Sequence, residues 1–219
     1  MSPPKRQLYQ NAIKQLLIKI DAKHAPEVVV LDPSPDAAEK NCFYNVERHV
    51  RNMGGKAIYG WAIGISPFLV EAEKHAVWQM PDDRLLDITP RTPAMPTILF
   101  VRDTDFVYTG QYIDNIRLNV TTNPLIDDWI KICESIEVLF SFGNRSNEYE
   151  ISISETIIPF LNHLEDLKVK YGNYIAAGGN PDTPCFCGRS LIYKNCHGPD
   201  MMNIQNSLEK TRAMFGSAI

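Results

Sequence analysis

Glu71-Ala72-Glu73-Lys74-His75-Ala76-Val77-Trp78-Gln79-Met80, then Pro81-Asp82-Asp83, then Arg84-Leu85-Leu86-Asp87-Ile88-Thr89-Pro90, is the stretch that decides the fold. Apolar and β-favouring residues lie on either side of a Pro-Asp-Asp turn signal. The stretch reads as a long strand over about 68–80, a reversal at 81–83 and a second strand over about 84–89. Such a hairpin brings His75 and Asp87 side by side.

Upstream, Leu8, Ala12, Ile13, Leu16, Leu17 and Ile20 recur at helical spacing, which predicts an amphipathic helix over about 5–21. Glu27-Val-Val-Val-Leu31 predicts a short strand, closed by the turn-rich Asp32-Pro-Ser-Pro-Asp36. Phe43, Val46, His49 and Val50 return to helical period, and Gly54-Gly55 ends that helix. Residues 56–65 predict a strand, with two more at 97–101 and near 106–112. Downstream, Trp129, Ile132, Cys133, Ile136 and Leu139 share one face of a helix over about 125–140. A last long helix carries Phe160, Leu161, Leu164 and Leu167. Ala176-Ala-Gly-Gly-Asn-Pro181 has the composition of a linker. The class is α+β: an antiparallel sheet with helices over residues 1–180, and a small C-terminal tail with a terminal helix over 181–219.

A chain of 219 residues is long enough for one good-sized core with an appendage. A net charge of −4 argues against a protein whose main business is gripping a nucleic acid backbone. No apolar run approaches the length of a bilayer span, and the N-terminus lacks the apolar core of a secretory signal. The five cysteines, an odd number with three bunched near the end, do not form a disulfide framework. These features set the expectation of a cytoplasmic protein whose thiols are ligands, nucleophiles or core fillers.

The tail reads Pro184-Cys185-Phe186-Cys187-Gly188-Arg189-Ser190-Leu191-Ile192-Tyr193-Lys194-Asn195-Cys196-His197-Gly198. Three thiolates and an imidazole satisfy tetrahedral Zn2+, and a closed four-ligand shell marks a structural site. The pattern Cys-x-Cys, eight residues, Cys-His, with Gly188, Tyr193, Lys194 and Gly198 in place, resembles the SEC-C motif, the zinc tail of the bacterial preprotein translocase motor. Phe186 stands where that motif usually has proline, and Leu191 and Ile192 where it is usually basic. The resemblance implies Cys185, Cys187, Cys196 and His197 as ligands of a structural Zn2+. It also implies recruitment of a protein partner through surface basic residues, here Arg189 and Lys194. A segment this short holds no core, so metal binding and folding are expected to be one event.

In the body, Cys42 follows a loop and opens a helix, where the macrodipole favours a thiolate. With His75 and Asp87 it suggests a nucleophile, a base and an orienting carboxylate. Helix from cysteine, strand, strand with His, strand with Asp-Ile-Thr-Pro: this order over residues 41–90 resembles transglutaminase-like and papain-like thiol enzymes. The resemblance implies a cysteine hydrolase or acyltransferase acting on a protein or peptide substrate as peptidase, glutamine deamidase or transglutaminase. The oxyanion-stabilising Gln of papain-like members is absent from residues 34–41, leaving the Cys42 N–H with Asn41, Asn45 or Trp61 as second donors. The alternative is a non-catalytic adaptor that uses the zinc tail for recruitment. His49 is a rival base, Glu71 and Glu73 beside His75 permit a second metal site, and Cys133 belongs to an apolar helix stripe.

Overall fold

The 81–83 reversal is built as its residues dictate. In the computed structural model, which describes residues 3–145 and 150–215, Met80 N–H donates to Arg84 O at 2.8 Å. Asp83 takes φ +69°, and the Asp82 carboxylate accepts from Arg84. This turn sets β3 (Leu69–Gln79) antiparallel to β4 (Leu85–Asp87), with Trp78 opposite Leu86 and Gln79 opposite Leu85.

The chain divides into two compact units, residues 1–118 with 147–150, and residues 119–146 with 151–219. In the first, α1 (Pro3–Lys19) leads into β1 (Glu27–Leu31), followed by α2 (Cys42–Met53), β2 (Lys56–Ile65), β3, β4, β5 (Thr97–Arg102) and β6 (Ile116–Asn119). The strands close on themselves. β2 pairs with β5, β5 with β1, β4 with β3 and β3 with β2, all antiparallel, while β1 and β4 run parallel. The result is a five-strand barrel with β6 added at β3, where the sequence predicted an antiparallel sheet with helices.

Alternation along the strands separates two cores. Val29, Ala62, Val77, Ile98 and Phe100 pack together in one cluster. The alternate residues of β3, Ala76 and Trp78, pack with Ile88 against Cys42 and Val46 of α2. Both faces of β3 are therefore covered, which is why its second half reads as a continuous apolar run. Gly60 is required at the β2–β5 seam: a Cβ there would stand 2.2 Å from Val101 O and 2.5 Å from Phe100 Cζ.

The second unit holds α3 (Leu125–Ser141), the two-residue strands β7 (Asn144–Arg145) and β8 (Ile151–Ser152), α4 (Ile158–Ala176) and α5 (Asp200–Phe215). Pro159 sits in the first turn of α4, where a missing N–H costs nothing. Leu125, Ile132, Ile136 and Leu139 of α3 are buried, as are Leu164 and Tyr171 of α4 and Leu208 of α5.

Two sequence expectations are corrected. Residues 106–112 form no strand: Phe106 and Tyr108 turn into an aromatic cluster with Phe43 and Tyr59, the Phe43 and Tyr108 rings stacked at 4.0 Å, and Gly110 takes φ +92°. Residues 176–181 are not a loose linker. The Tyr174 hydroxyl lies 2.6 Å from Thr183 Oγ1 and donates to Asn180 O, while Gly179 sits against the Tyr174 ring. Those contacts hold the start of the tail against α4. Among the described residues, no helix is long and apolar enough to cross a membrane.

Candidate active site and metal centre

The β3–β4 register explains how His75 and Asp87 meet. With Trp78 opposite Leu86, extending that register sets Asp87 level with Val77, which puts His75 diagonal to Asp87 on the same face. His75 Nε2 and Asp87 Oδ2 are 2.9 Å apart, with the side chains 1% and 0% exposed. Asp87 is over-determined: Oδ2 also accepts from Arg91 Nε at 3.3 Å, and Oδ1 from Thr89 N–H at 3.1 Å. Its backbone is held from the other side by β1, in register with Leu31.

Cys42, the first residue of α2, is buried, and Asn41 before it makes no side-chain cap. Cys42 and His75 line one cavity of about 190 Å³ with Glu39, Lys40, Glu73, Thr89, Pro90, Arg91 and Thr92. Asp87 is behind His75 and does not line it. With Nε2 turned to Asp87, Nδ1 is the ring nitrogen left for exchange with the cavity. Burial alone lowers the pKa of the imidazole. The electrostatic influence of neighbouring Cys42 and the hydrogen bond to Asp87 outweigh it and push His75 up to about 10. Burial likewise raises the Asp87 pKa, and the bond and charge of His75 bring it below the ordinary carboxylate value.

The remaining sequence candidates fall elsewhere. Asn45 is not a donor to the cavity. Its amide donates to Ala38 O and Thr89 Oγ1 and accepts from Ala38 N–H, lacing the loop before α2 to the end of β4. Trp61 Nε1 is buried without a partner, but Trp61 lies beneath the Lys74 ammonium and does not line the cavity. Asn41 is not part of the lining either. His49 packs edge-on against Trp78 at 4.4 Å and is no rival base. Glu71 pairs with Arg117 at 2.7 Å and Glu73 with Arg91 at 2.9 Å, so arginines occupy the carboxylates that a second metal would need. Cys133 is buried in α3. Sequence reasoning missed Arg91. Its signal was weak: a charged residue just after a strand, four positions beyond Asp87.

In the second unit, Cys185, Cys187, Cys196 and His197 place their ligand atoms within 4.8 Å of one another, the one such group among the described residues. Cys185 Sγ lies 3.0 Å from His197 Nδ1, and Cys196 Sγ lies 3.5 Å from both Cys187 Sγ and His197 Nδ1. A tetrahedral ion with zinc–sulfur bonds of about 2.3 Å sets sulfur–sulfur edges of about 3.8 Å, so the donor set fits such a metal.

The local backbone makes this possible. Gly188 at φ +78° turns the chain after Cys187, and Pro184 and Ile192 form a bridge beneath the knuckle. The 3₁₀ turn Tyr193–Asn195 delivers Cys196 and His197, and Gly198 N–H returns to Tyr193 O at 3.0 Å. A backbone N–H from Arg189 draws the Cys187 thiol below its ordinary value. The buried Tyr193 donates to Asp128 Oδ2 at 2.9 Å and lies 3.1 Å from the Tyr171 hydroxyl. Phe186, the residue in place of proline, packs 4.5 Å from the His197 ring and against Tyr171 and Tyr174. The tail is thus docked on α3 and α4 by aromatic side chains. Comparison with protein-family models, curated proteins and solved structures finds no match, so the reading of both centres rests on the chain itself.

Proposed function

We propose that the first unit is a thiol acyl-transfer enzyme of the peptidase, glutamine deamidase or transglutaminase type, and that the second carries a structural zinc module. The observation that carries the reading is the buried His75–Asp87 pair at 2.9 Å, opening on the cavity that Cys42 shares. Cys42 Sγ attacks an acyl carbon with its proton already held on His75 Nδ1, the ring being charged at neutral pH. The carbonyl oxygen becomes an oxyanion near the Cys42 N–H, at an α2 terminus that Asn41 does not cap. His75 then returns the proton to the leaving amine, releasing it and leaving a thioester. Water or an amine, deprotonated at Nδ1, resolves the thioester and restores the thiol. Asp87 holds the ring and balances its charge throughout. In the module, Cys185, Cys187, Cys196 and His197 would hold Zn2+, which serves as a cross-link.

The test is alkylation of Cys42 by iodoacetamide, followed by mass spectrometry across pH in wild type and His75→Gln. The wild type should react at least about tenfold faster near pH 6, the factor supplied by one unit of thiol ionisation. Equal rates would remove the enzyme reading. They would favour a binding protein that keeps this geometry without turnover, a reading in line with the absence of Asn45 and Trp61 from the cavity wall.

A further inference from the structure

Arg91 stands outside the Cys-His-Asp trio, yet it touches His75, Asp87 and Glu73 at once. Its Nη2 is 3.3 Å from both ring nitrogens of His75. The lone-pair directions of Nδ1 and Nε2 diverge, and an in-plane donor equidistant from both at that range would overlap the Cε1 between them. The guanidinium therefore lies over the ring face. Its Nε donates to Asp87 Oδ2, the same oxygen that faces His75 Nε2. Its Nη1 donates to Glu73, on the strand face that carries His75. Two carboxylates anchor a rigid planar group, and that group covers the imidazole. Rotating the ring would lift Nε2 from Asp87 and drive an edge into the guanidinium.

We propose that Arg91 is the positioning residue of the Cys42 centre. It clamps His75 with Nε2 on Asp87 and Nδ1 toward the cavity, and it moderates the charge that Asp87 lends the ring. The chemical purpose rests on the thiol reading above; the clamp itself is a property of the histidine.

The groups facing His75 are Cys42 from α2, Glu39 and Lys40 from the loop before it, Glu73 from β3, and Asp87 and Arg91 from β4 and its exit. Cys42 and the three carboxylates favour the imidazolium; Lys40 and Arg91 oppose it. A ring that must return its proton to a leaving group needs that opposition. By sharing Asp87 Oδ2, Arg91 also weakens the acceptor that holds the ring proton.

The experiment uses the zinc-loaded full chain with 15N-labelled histidine. The His75 signals are assigned by their loss in His75→Gln and then followed from neutral to alkaline pH in wild type, Arg91→Gln and Arg91→Lys. In Arg91→Gln the His75 titration should rise by about one pH unit or more, as loss of a neighbouring charge typically produces. At the alkaline end its neutral form should become a mixture of tautomers where the wild type holds the Nε2–H form alone. Arg91→Lys should restore the titration but not the single tautomer, because one ammonium cannot span both carboxylates and cover the ring. Unchanged His75 signals in a folded Arg91→Gln overturn the proposal. If that variant does not fold, an unmixed tautomer in Arg91→Lys overturns it instead. Wild-type alkylation indifferent to His75→Gln removes the thiol reading separately, and the clamp is still decided by the histidine spectra.

Discussion

Replacing Asp87 by asparagine keeps its shape and deletes its charge, so the variant isolates what the carboxylate does. Three donors converge on Asp87: His75 Nε2, Arg91 Nε and Thr89 N–H. An asparagine oxygen still serves one side, but its NH2 must then face a donor on the other, leaving a buried group unsatisfied at about 1–3 kcal/mol. The charged His75 and Arg91 also lose their counter-ion, and breaking a buried pair by removing one partner costs about 3–5 kcal/mol. We expect Asp87→Asn to lose about 3 kcal/mol at neutral pH, against a typical domain stability of about 5–15 kcal/mol.

The loss has a pH signature. The folded pKa of His75 is raised to about 10 from 6.5, so its contribution is complete below 6.5 and lost as pH rises through about 10. The folded pKa of Asp87 is depressed below 3.8, so its contribution is present above that value and lost as pH falls through the depressed one. The gap between wild type and variant should therefore be widest in the window between and close toward either end. Urea denaturation followed by tryptophan fluorescence at pH 4, 7 and 10.5 measures it. A gap under about 0.5 kcal/mol at pH 7, the range of an ordinary surface substitution, or one that does not narrow at pH 10.5, would refute the reasoning.

Other predictions concern the second unit and the barrel. Zinc should copurify at one ion per chain by elemental analysis, and cobalt substitution should give the thiolate charge-transfer and tetrahedral d–d bands of a Cys3His site. Chelation should lower the thermal midpoint of the wild type, and Cys196→Ser should reproduce that loss without chelator; a midpoint indifferent to both would exclude a structural metal. Tyr193→Phe removes the bond to the half-buried Asp128, whose pKa burial already raises. It should cost about 1–3 kcal/mol in chemical denaturation, and an unchanged midpoint would show that the bond contributes nothing. Gly60→Ala forces a methyl to within 2.2 Å of Val101 O. It should destabilise the barrel by about 1–3 kcal/mol or more, so a circular-dichroism melt equal to wild type would contradict the close β2–β5 approach.

What could be read from the sequence was what local chemistry determines. The Cys185, Cys187, Cys196 and His197 group was legible because metal ligands need particular residue types at short spacing. The β3–β4 hairpin was legible because Pro81-Asp82-Asp83 is strong turn chemistry, and the hairpin carried His75 next to Asp87. Barrel closure was not legible: the parallel seam of β1 with β4 and the pairing of Glu27 with Phe100 leave no local mark. The strand expected near 106–112 failed because aromatic residues suit a sheet and a packed loop equally well, and the true edge strand, Ile116–Asn119, is short. Arg91 escaped because a lone arginine in a Pro-rich loop announces no partner. The stretch 176–181 misled because glycine and alanine read as slack, while its order comes from a tyrosine two residues earlier in the chain.

The parallel seam has a consequence for the newborn chain. Asp87 is aligned by β1, and β1 is braced on its far side by Thr97–Arg102. During synthesis Cys42, His75 and Asp87 all leave the ribosome before that brace exists. A chain stalled ahead of Thr97 carries all three side chains but lacks the strand that closes the barrel. Joining Glu27 to Phe100 is a long-range event of the kind that slows β-rich folding. The three side chains are therefore made early and brought together late, when the barrel shuts.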